Sequence, residues 1–178
     1  MIIQTNQQLV ITAVGTDRSG IVNQLTSLVS ECSCNILDSR MAIFGAEFTL
    51  IMFVAGDMSA VSRLESMIPA LGVELELLTV TKRTSSQLMV KSGFRYEIEF
   101  SGKDKPGTLS AVTAFLAENS INIMALKSNT QNTISENESF STTNIEINSQ
   151  EDIAQSTIED EFDALCDSLN VAGKITSL

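Results

Sequence analysis

Gly15-Thr-Asp17-Arg-Ser-Gly20 returns as Gly102-Lys-Asp104-Lys-Pro-Gly107, with each glycine and aspartate displaced by 87 residues. The offset persists downstream: Thr26 meets Thr113, Asn35 meets Asn122, Ile36 meets Ile123, and basic Arg40 meets basic Lys127. A fixed offset across a run of matches means one supersecondary unit built twice. In 178 residues that leaves two small modules rather than one large core.

Both copies follow the same pattern. In the first, Leu9–Val14 is an apolar run of strand length that leads into the glycine loop. Ile21, Val22, Leu25, Leu28, Val29 and Cys32 then recur at helical spacing and predict one buried face. Cys34–Ile43 reads as a strand, Phe44-Gly45-Ala46 as a hairpin turn, and Glu47–Ala55 as a strongly apolar strand. Val61, Leu64, Ile68 and Leu71 give a second helix face, Gly72 stands where a C-cap is expected, and Val73–Lys82 reads as the closing strand. In the second copy, Phe94, Tyr96, Ile98 and Phe100 alternate with polar residues. Leu109, Val112, Phe115 and Leu116 line a helix, and Ile121–Ser128 and Ser139–Ile147 form a hairpin around a polar loop at Gln131–Glu138. Ile158, Phe162, Leu165, Cys166 and Leu169 line the last helix before Val171–Leu178.

This order predicts an α+β chain of two ferredoxin-like βαββαβ modules, each an antiparallel four-stranded sheet with both helices on one face. The boundaries are residues 1–83 for the first module, 84–93 for a polar linker and 94–178 for the second. Phe48 to Val54 is apolar at nearly every position, and Leu75, Leu77, Leu78 and Val80 crowd the expected fourth strand. A strand apolar on both sides is expected to be covered on both sides. That predicts a second sheet against the first module, from its sister or from another chain. The second module's first strand is polar at alternate positions and reads as more solvated.

Charge and composition narrow the chemistry. The net charge is −11; residues 1–83 carry five basic and eight acidic residues, and residues 84–178 carry six and fourteen. An acidic chain without a basic stripe lacks the surface that neutralises phosphates, so direct nucleic-acid binding is not expected. There is no histidine, which removes Ser-His-Asp and Cys-His nucleophiles and every His-containing metal site. The expectation is no enzyme, no catalytic residues and no metal. No apolar run approaches the ~20 residues of a membrane span. The first residues lack a basic start and an apolar core, so the expected location is the cytoplasm, with Cys32, Cys34 and Cys166 reduced.

The loop itself has three readings. A Walker-type phosphate loop needs Lys and Ser/Thr after the second glycine, but Gly20 is followed by Ile21-Val22 and Gly107 by Thr108-Leu109. Asp17 and Asp104 would also repel phosphate. A small zwitterion suits the loop better. The helix start offers free N–H groups and a positive dipole end to a carboxylate, and Asp17 can hold an ammonium group. Asn35 or Asn122 can add a donor and an acceptor. The plain reading is a glycine turn with aspartate as helix cap, which needs no ligand.

Cys32-Ser-Cys34 reads as buried thiols, Glu159-Asp160-Glu161 with Asp163 as a solvated helix face or a docking surface for a basic partner, and Asp38-Ser39-Arg40 as a surface ion pair.

The glycine loop, the βαββαβ order and the asparagine opening the second strand resemble the ACT domain. The stretches "LVITAVGTDRSGIVNQLT", "CNILDSRMAIFGAEFTLIMFV" and "ELELLTVTKRT" carry the likeness most closely in the first module. The resemblance covers nearly the whole chain as a tandem pair. It implies amino-acid binding at inter-module interfaces, through Asp17, Arg18, Ser19, Gly20, Ile21 and Val22 with Asn35 and Ile36 opposite. In the second copy it implies Asp104, Lys105, Pro106, Gly107, Thr108 and Leu109 with Asn122 and Ile123. Ser19 stands where these loops often have proline, as Pro106 does. The resemblance further implies an amino-acid-responsive transcriptional regulator without a cofactor, its effector a small amino acid, glycine first. It implies contact with a DNA-binding activator protein rather than with DNA or a membrane, and a homodimer is among its assemblies. A regulatory subunit of an amino-acid metabolic enzyme and a ligand-free interaction module are the alternatives.

Overall fold

The computed structural model describes residues 7–84, 93–133, 138–150, 152–153 and 157–178. The chain divides into two compact units, Met1–Met89 and Val90–Leu178. The expected linker lies, at residues 85–92, outside the described residues, as do residues 134–137 of the expected polar loop.

Unit 1 runs β1 (Gln7–Thr16), α1 (Ile21–Glu31), β2 (Asn35–Phe44), β3 (Glu47–Gly56), α2 (Met58–Glu74) and β4 (Leu77–Thr84). Unit 2 repeats this as β5 (Phe94–Lys103), α3 (Thr108–Glu118), β6 (Asn122–Thr133), β7 (Glu138–Ser149), α4 (Ile158–Leu169) and β8 (Val171–Ser177). The sheets are antiparallel throughout, with strand orders β2-β3-β1-β4 and β6-β7-β5-β8. These are the two predicted βαββαβ modules.

Each unit has its own core. In unit 1, Leu9, Ile11 and Ala13 of β1 and Phe48, Leu50, Met52 and Val54 of β3 face the helices. Leu25, Leu28 and Val29 of α1 and Val61, Leu64 and Ile68 of α2 fill the other side. Period-2 burial meets period-3.6 burial, which is what lays a helix along a sheet. Unit 2 packs Tyr96, Ile98 and Phe100 of β5 and Ile145 and Ile147 of β7 against Val112, Leu116, Phe162 and Cys166. The Tyr96 hydroxyl leaves this core at one point, donating to the Asp152 carboxylate and accepting from the Ile153 N–H at 3.0 Å. A buried phenol needs such partners.

Several expectations are corrected. Gly72 is not a C-cap. Helix α2 continues to Glu74, Leu75 is its cap, and Glu76 takes the positive φ of 56° that turns the chain into β4. Gly72 is glycine because a Cβ there would lie 2.9 Å from the Thr79 side chain and 3.1 Å from the Leu77 carbonyl oxygen. Val73 is therefore an exposed helix residue rather than the start of a strand, and Leu75 caps the helix from within the core. Gln131–Thr133 belong to β6 and not to a loop. Val22 and Leu109 fall off the buried helix stripes, 39% and 37% exposed at equivalent positions of the two copies.

Helix α2 has a side-chain cap: the Asp57 carboxylate accepts from the Ala60 N–H at 2.8 Å and from the Ser59 hydroxyl at 2.7 Å. These bonds, the Ala60 one foremost, hold its pKa below the ordinary 3.8. A group whose folded pKa is lowered stabilises fully above its unfolded value and loses that contribution as pH falls through the folded one. Asp57→Ala is therefore expected to lower the Tm at neutral pH, and the gap from the unsubstituted chain should narrow as pH falls below the ordinary carboxylate range. Thermal melts from pH 7 to pH 2.5 measure this.

Candidate functional site

Strand β1 ends against Glu47 of the β2–β3 hairpin, and the chain must then reverse into α1 within four residues. Gly20 makes that reversal at φ 94°, ψ −10°, and Gly107 repeats it at φ 95°, ψ −15°. Both are left-handed N-caps, the backbone region that glycine enters without a Cβ penalty. A Cβ at either position would meet no atom within 4 Å, so both loop tips open to solvent.

The aspartate does not cap the helix. Neither Gly20 nor Gly107 is accompanied by a side-chain capping bond. Asp17 is held by its main chain, which donates to the Ala46 carbonyl oxygen at 3.1 Å, and Asp104 donates likewise to Ser139 at 2.8 Å. Their exposed carboxylates make no hydrogen bond or ion pair among the described residues. The first intrahelical bonds run from Gln24 to Gly20 and from Ala111 to Gly107. The N–H groups of Ile21, Val22 and Asn23, and of Leu109 and Ser110, thus stand ahead of the first turn's carbonyls. An exposed carboxylate on a main-chain-anchored loop, followed by uncommitted N–H donors, can take the two ends of an α-amino acid.

The remaining predicted residues divide by role. Arg18 ties loop to helix, its guanidinium donating to the Glu74 carbonyl oxygen at 3.3 Å, and Ser19 is exposed. Ile21 is buried, so only its main chain faces the loop. In the second copy the Lys105 carbonyl accepts from the Thr108 hydroxyl at 3.1 Å and from its N–H at 3.4 Å, which folds Thr108 inward behind exposed Pro106. Ile36 and Ile123 are half-buried and pack on the two cores.

Asn35 and Asn122 are not brought to these loops. Asn35 stands opposite Ala55, which stands opposite Gln8 near the start of β1, whereas the glycine loop leaves from Thr16 at its end. Eight residue steps of strand separate those levels, about 25 Å. In unit 2, Asn122 lies at the level of Asn148 and Arg95, again at the far end of the sheet from Gly107. Within one unit, loop and asparagine belong to opposite ends.

Sequence reasoning missed five residues near these two ends of the sheets. Ala46 and Ser139 anchor the loops through main-chain carbonyls, which side-chain patterns do not reveal. Phe44, expected in the hairpin turn, ends β2, and Phe140 lies near the start of β7; both are exposed on the strands beside the loops. At the other end, the Gln8 side-chain oxygen is buried without a hydrogen-bond partner among the described residues. Its counterpart in unit 2, Arg95, is instead paired with Glu146 at 3.3 Å.

The other candidates read plainly. Cys32 and Cys166 are buried and Cys34 half-buried, all unbridged. Burial, reinforced by Asp163 and Asp167, pushes the Cys166 thiol up to about 11, and burial foremost raises Cys34. A thiol so shifted is a poor nucleophile near neutrality. Among the described residues no His/Cys/Asp/Glu group could hold a metal. Asp38 and Arg40 form an exposed ion pair at 3.8 Å, and among the described residues no helix is long and apolar enough to cross a membrane.

Residues 7–82 and residues 96–162 each match a family model described as an ACT domain. The chain is 39% identical over 177 residues to the glycine cleavage system transcriptional repressor of Escherichia coli strain K12, covering 98% of this chain and 92% of that one. A crystal structure provisionally assigned to such a repressor superposes with a TM-score of 0.74 at 37% identity, covering 97% of this chain and 98% of its own. An uncharacterised protein of Galdieria sulphuraria gives a TM-score of 0.78 at 25% identity, covering 97% and 99%.

Proposed function

The chain belongs to the ACT-domain family, as a tandem pair allied to the glycine cleavage system transcriptional repressor, and on that premise we propose an amino-acid-responsive repressor of glycine cleavage genes. Likeness to a repressor along nearly the whole of both chains is the observation that carries this reading. It is not an enzyme, and it acts in the cytoplasm. With a net charge of −11 it does not bind DNA but touches a DNA-binding activator, whose affinity for it depends on the effector.

The effector is a small amino acid, glycine first. Its carboxylate is received by the main-chain N–H groups that follow Gly20 or Gly107, and its ammonium group by Asp17 or Asp104. Asn35 and Asn122 complete the site only when a loop from one module meets the asparagine end of another, because one unit holds the two about 25 Å apart. The effector is then bound by an interface, and its occupancy alters how modules assemble. That is how a small ligand would change a protein contact.

Calorimetric titration with glycine, serine and alanine should give heat at millimolar or lower concentration, with glycine preferred. Asp17→Asn keeps the loop's shape but removes the charge that faces the ammonium group. If the first loop is the site, affinity should fall roughly 10- to 100-fold, the loss expected for a charge-assisted hydrogen bond, with the ligand-free Tm unchanged. Absence of heat with every amino acid tried would favour a ligand-free interaction module. Pull-down from extract with and without glycine tests the activator contact.

A further inference from the structure

The face of the first sheet that points away from the helices has a definite pattern. Because Phe48, Leu50, Met52 and Val54 face the core, Thr49, Ile51 and Phe53 face the other way. Strand register sets them in three rows across the sheet: Asp38–Phe53–Val10–Lys82, Arg40–Ile51–Thr12–Val80, and Ala42–Thr49–Val14–Leu78. Ile51, Val80 and Leu78 are 51%, 58% and 71% exposed. Large aliphatic side chains gathered on one sheet face mark an interaction surface.

The equivalent face of unit 2 has a different chemistry. Glu97, Glu99 and Ser101 stand where unit 1 has Val10, Thr12 and Val14. Its charges are already used: Lys174 pairs with Glu99 at 2.9 Å, Arg95 with Glu146 at 3.3 Å, and the Asn144 amide donates to Glu97 at 3.3 Å. Set against the valines and Ile51, that face would bury these charged pairs, and their desolvation can cost more than their mutual attraction returns.

The unit 1 face does complement itself. We propose that it packs on the same face of a second copy of this chain, about a two-fold axis parallel to the strands. Such an axis exchanges the two edges of the sheet and keeps the level along each strand. Asp38, on edge strand β2 and paired at 3.8 Å with Arg40 of its own chain, then meets the partner's Lys82 on edge strand β4, and the symmetry makes that contact twice. Between the two pairs Phe53 meets the partner's Val10, Leu78 meets the partner's Ala42, and Val80 lies along the aliphatic stem of the partner's Arg40. A two-fold across the strands would instead set Asp38 against Ala42 and lose both pairs. Three rows by four strands cover about 400 Å² of projected face per protomer, which places the dimer among weak, reversible associations rather than permanent ones.

Sedimentation velocity of the full chain from 1 to 100 µM should show a monomer–dimer equilibrium. Ile51→Glu and, independently, Val80→Glu should give monomer with unchanged circular dichroism and Tm, since both positions are exposed. Asp38→Lys alone and Lys82→Glu alone should each weaken the dimer at least tenfold, and the double exchange should restore it. A monomer throughout the range overturns the proposal, as does a dimer indifferent to both glutamate substitutions. Failure of the double exchange to rescue overturns the assigned axis.

Discussion

Gly15→Val is expected to destabilise unit 1 by roughly 3 kcal/mol, the upper part of the range for overpacking a closed site. A Cβ at Gly15 would lie 2.7 Å from the Glu76 carbonyl oxygen, 2.8 Å from Leu77 Cδ2 and 3.3 Å from Leu77 Cα. Two of these three atoms are backbone and cannot swing away. Gly15 pairs with Leu77 in the β1–β4 ladder, where the turn from α2 presses onto the sheet. Its equivalent Gly102 has the same constraint, with Val171 Cγ1 at 2.8 Å from the built Cβ. Gly20→Ala is the control. No atom lies within 4 Å there, so only the positive φ is penalised, at about 1–2 kcal/mol. Urea denaturation of both variants decides the matter, and a larger loss at Gly20 than at Gly15 would contradict the assignment. The two glycines of one motif thus do unlike things: the first permits close packing, and the second permits a turn.

Phe162→Ala should cost unit 2 about 3–5 kcal/mol, the usual range for emptying a fully buried phenylalanine site, and lower the Tm by more than about 10 °C. Phe162 is completely buried, its ring centroid 6.1 Å from that of Phe115. The space around it is closed, since a Cβ on Gly173 would come within 2.9 Å of Phe162 Cε1 and 2.4 Å of the Cys166 sulfur. Phe162 and Cys166 are the buried residues of α4, whose first turn carries Glu159, Asp160 and Glu161. The carboxylates favour the positive end of the helix dipole but provide no attachment to the sheet. Removing the ring should therefore loosen α4 before the rest of unit 2, visible as early loss of amide protection over residues 158–169. A destabilisation below about 1 kcal/mol would mean that α4 is held by something else.

The duplication made the fold legible, because each ambiguous segment could be read against its copy. Legibility failed where local pattern and tertiary context disagree. The alternation Glu74-Leu75-Glu76-Leu77 reads as strand, yet α2 persists to Glu74 because a positive φ at Glu76, not Gly72, makes the turn. Val22 and Leu109 fit a helical stripe by type, but at the second helical position they stay exposed. At the candidate site, the loop conformation followed from its glycines. The hold on Asp17 did not, because the main-chain carbonyl of Ala46 supplies it. Asn35 could have been placed from topology alone. A helix that runs back along the sheet returns the chain to the level where β1 began.

The Tyr96 hydroxyl, held by Asp152 and the Ile153 N–H, makes the chain optically one-sided. There is no tryptophan, and Tyr96 is the single tyrosine, so tyrosine emission arises from unit 2 alone. Its intensity follows the integrity of that hydrogen bond at the edge of the second core. Unit 1, with the more exposed apolar sheet, is dark at these wavelengths. A change in emission on adding an amino acid is a signal from the second module. Seeing the first requires a fluorophore placed there, and exposed Ser19 beside Gly20 leaves room for one.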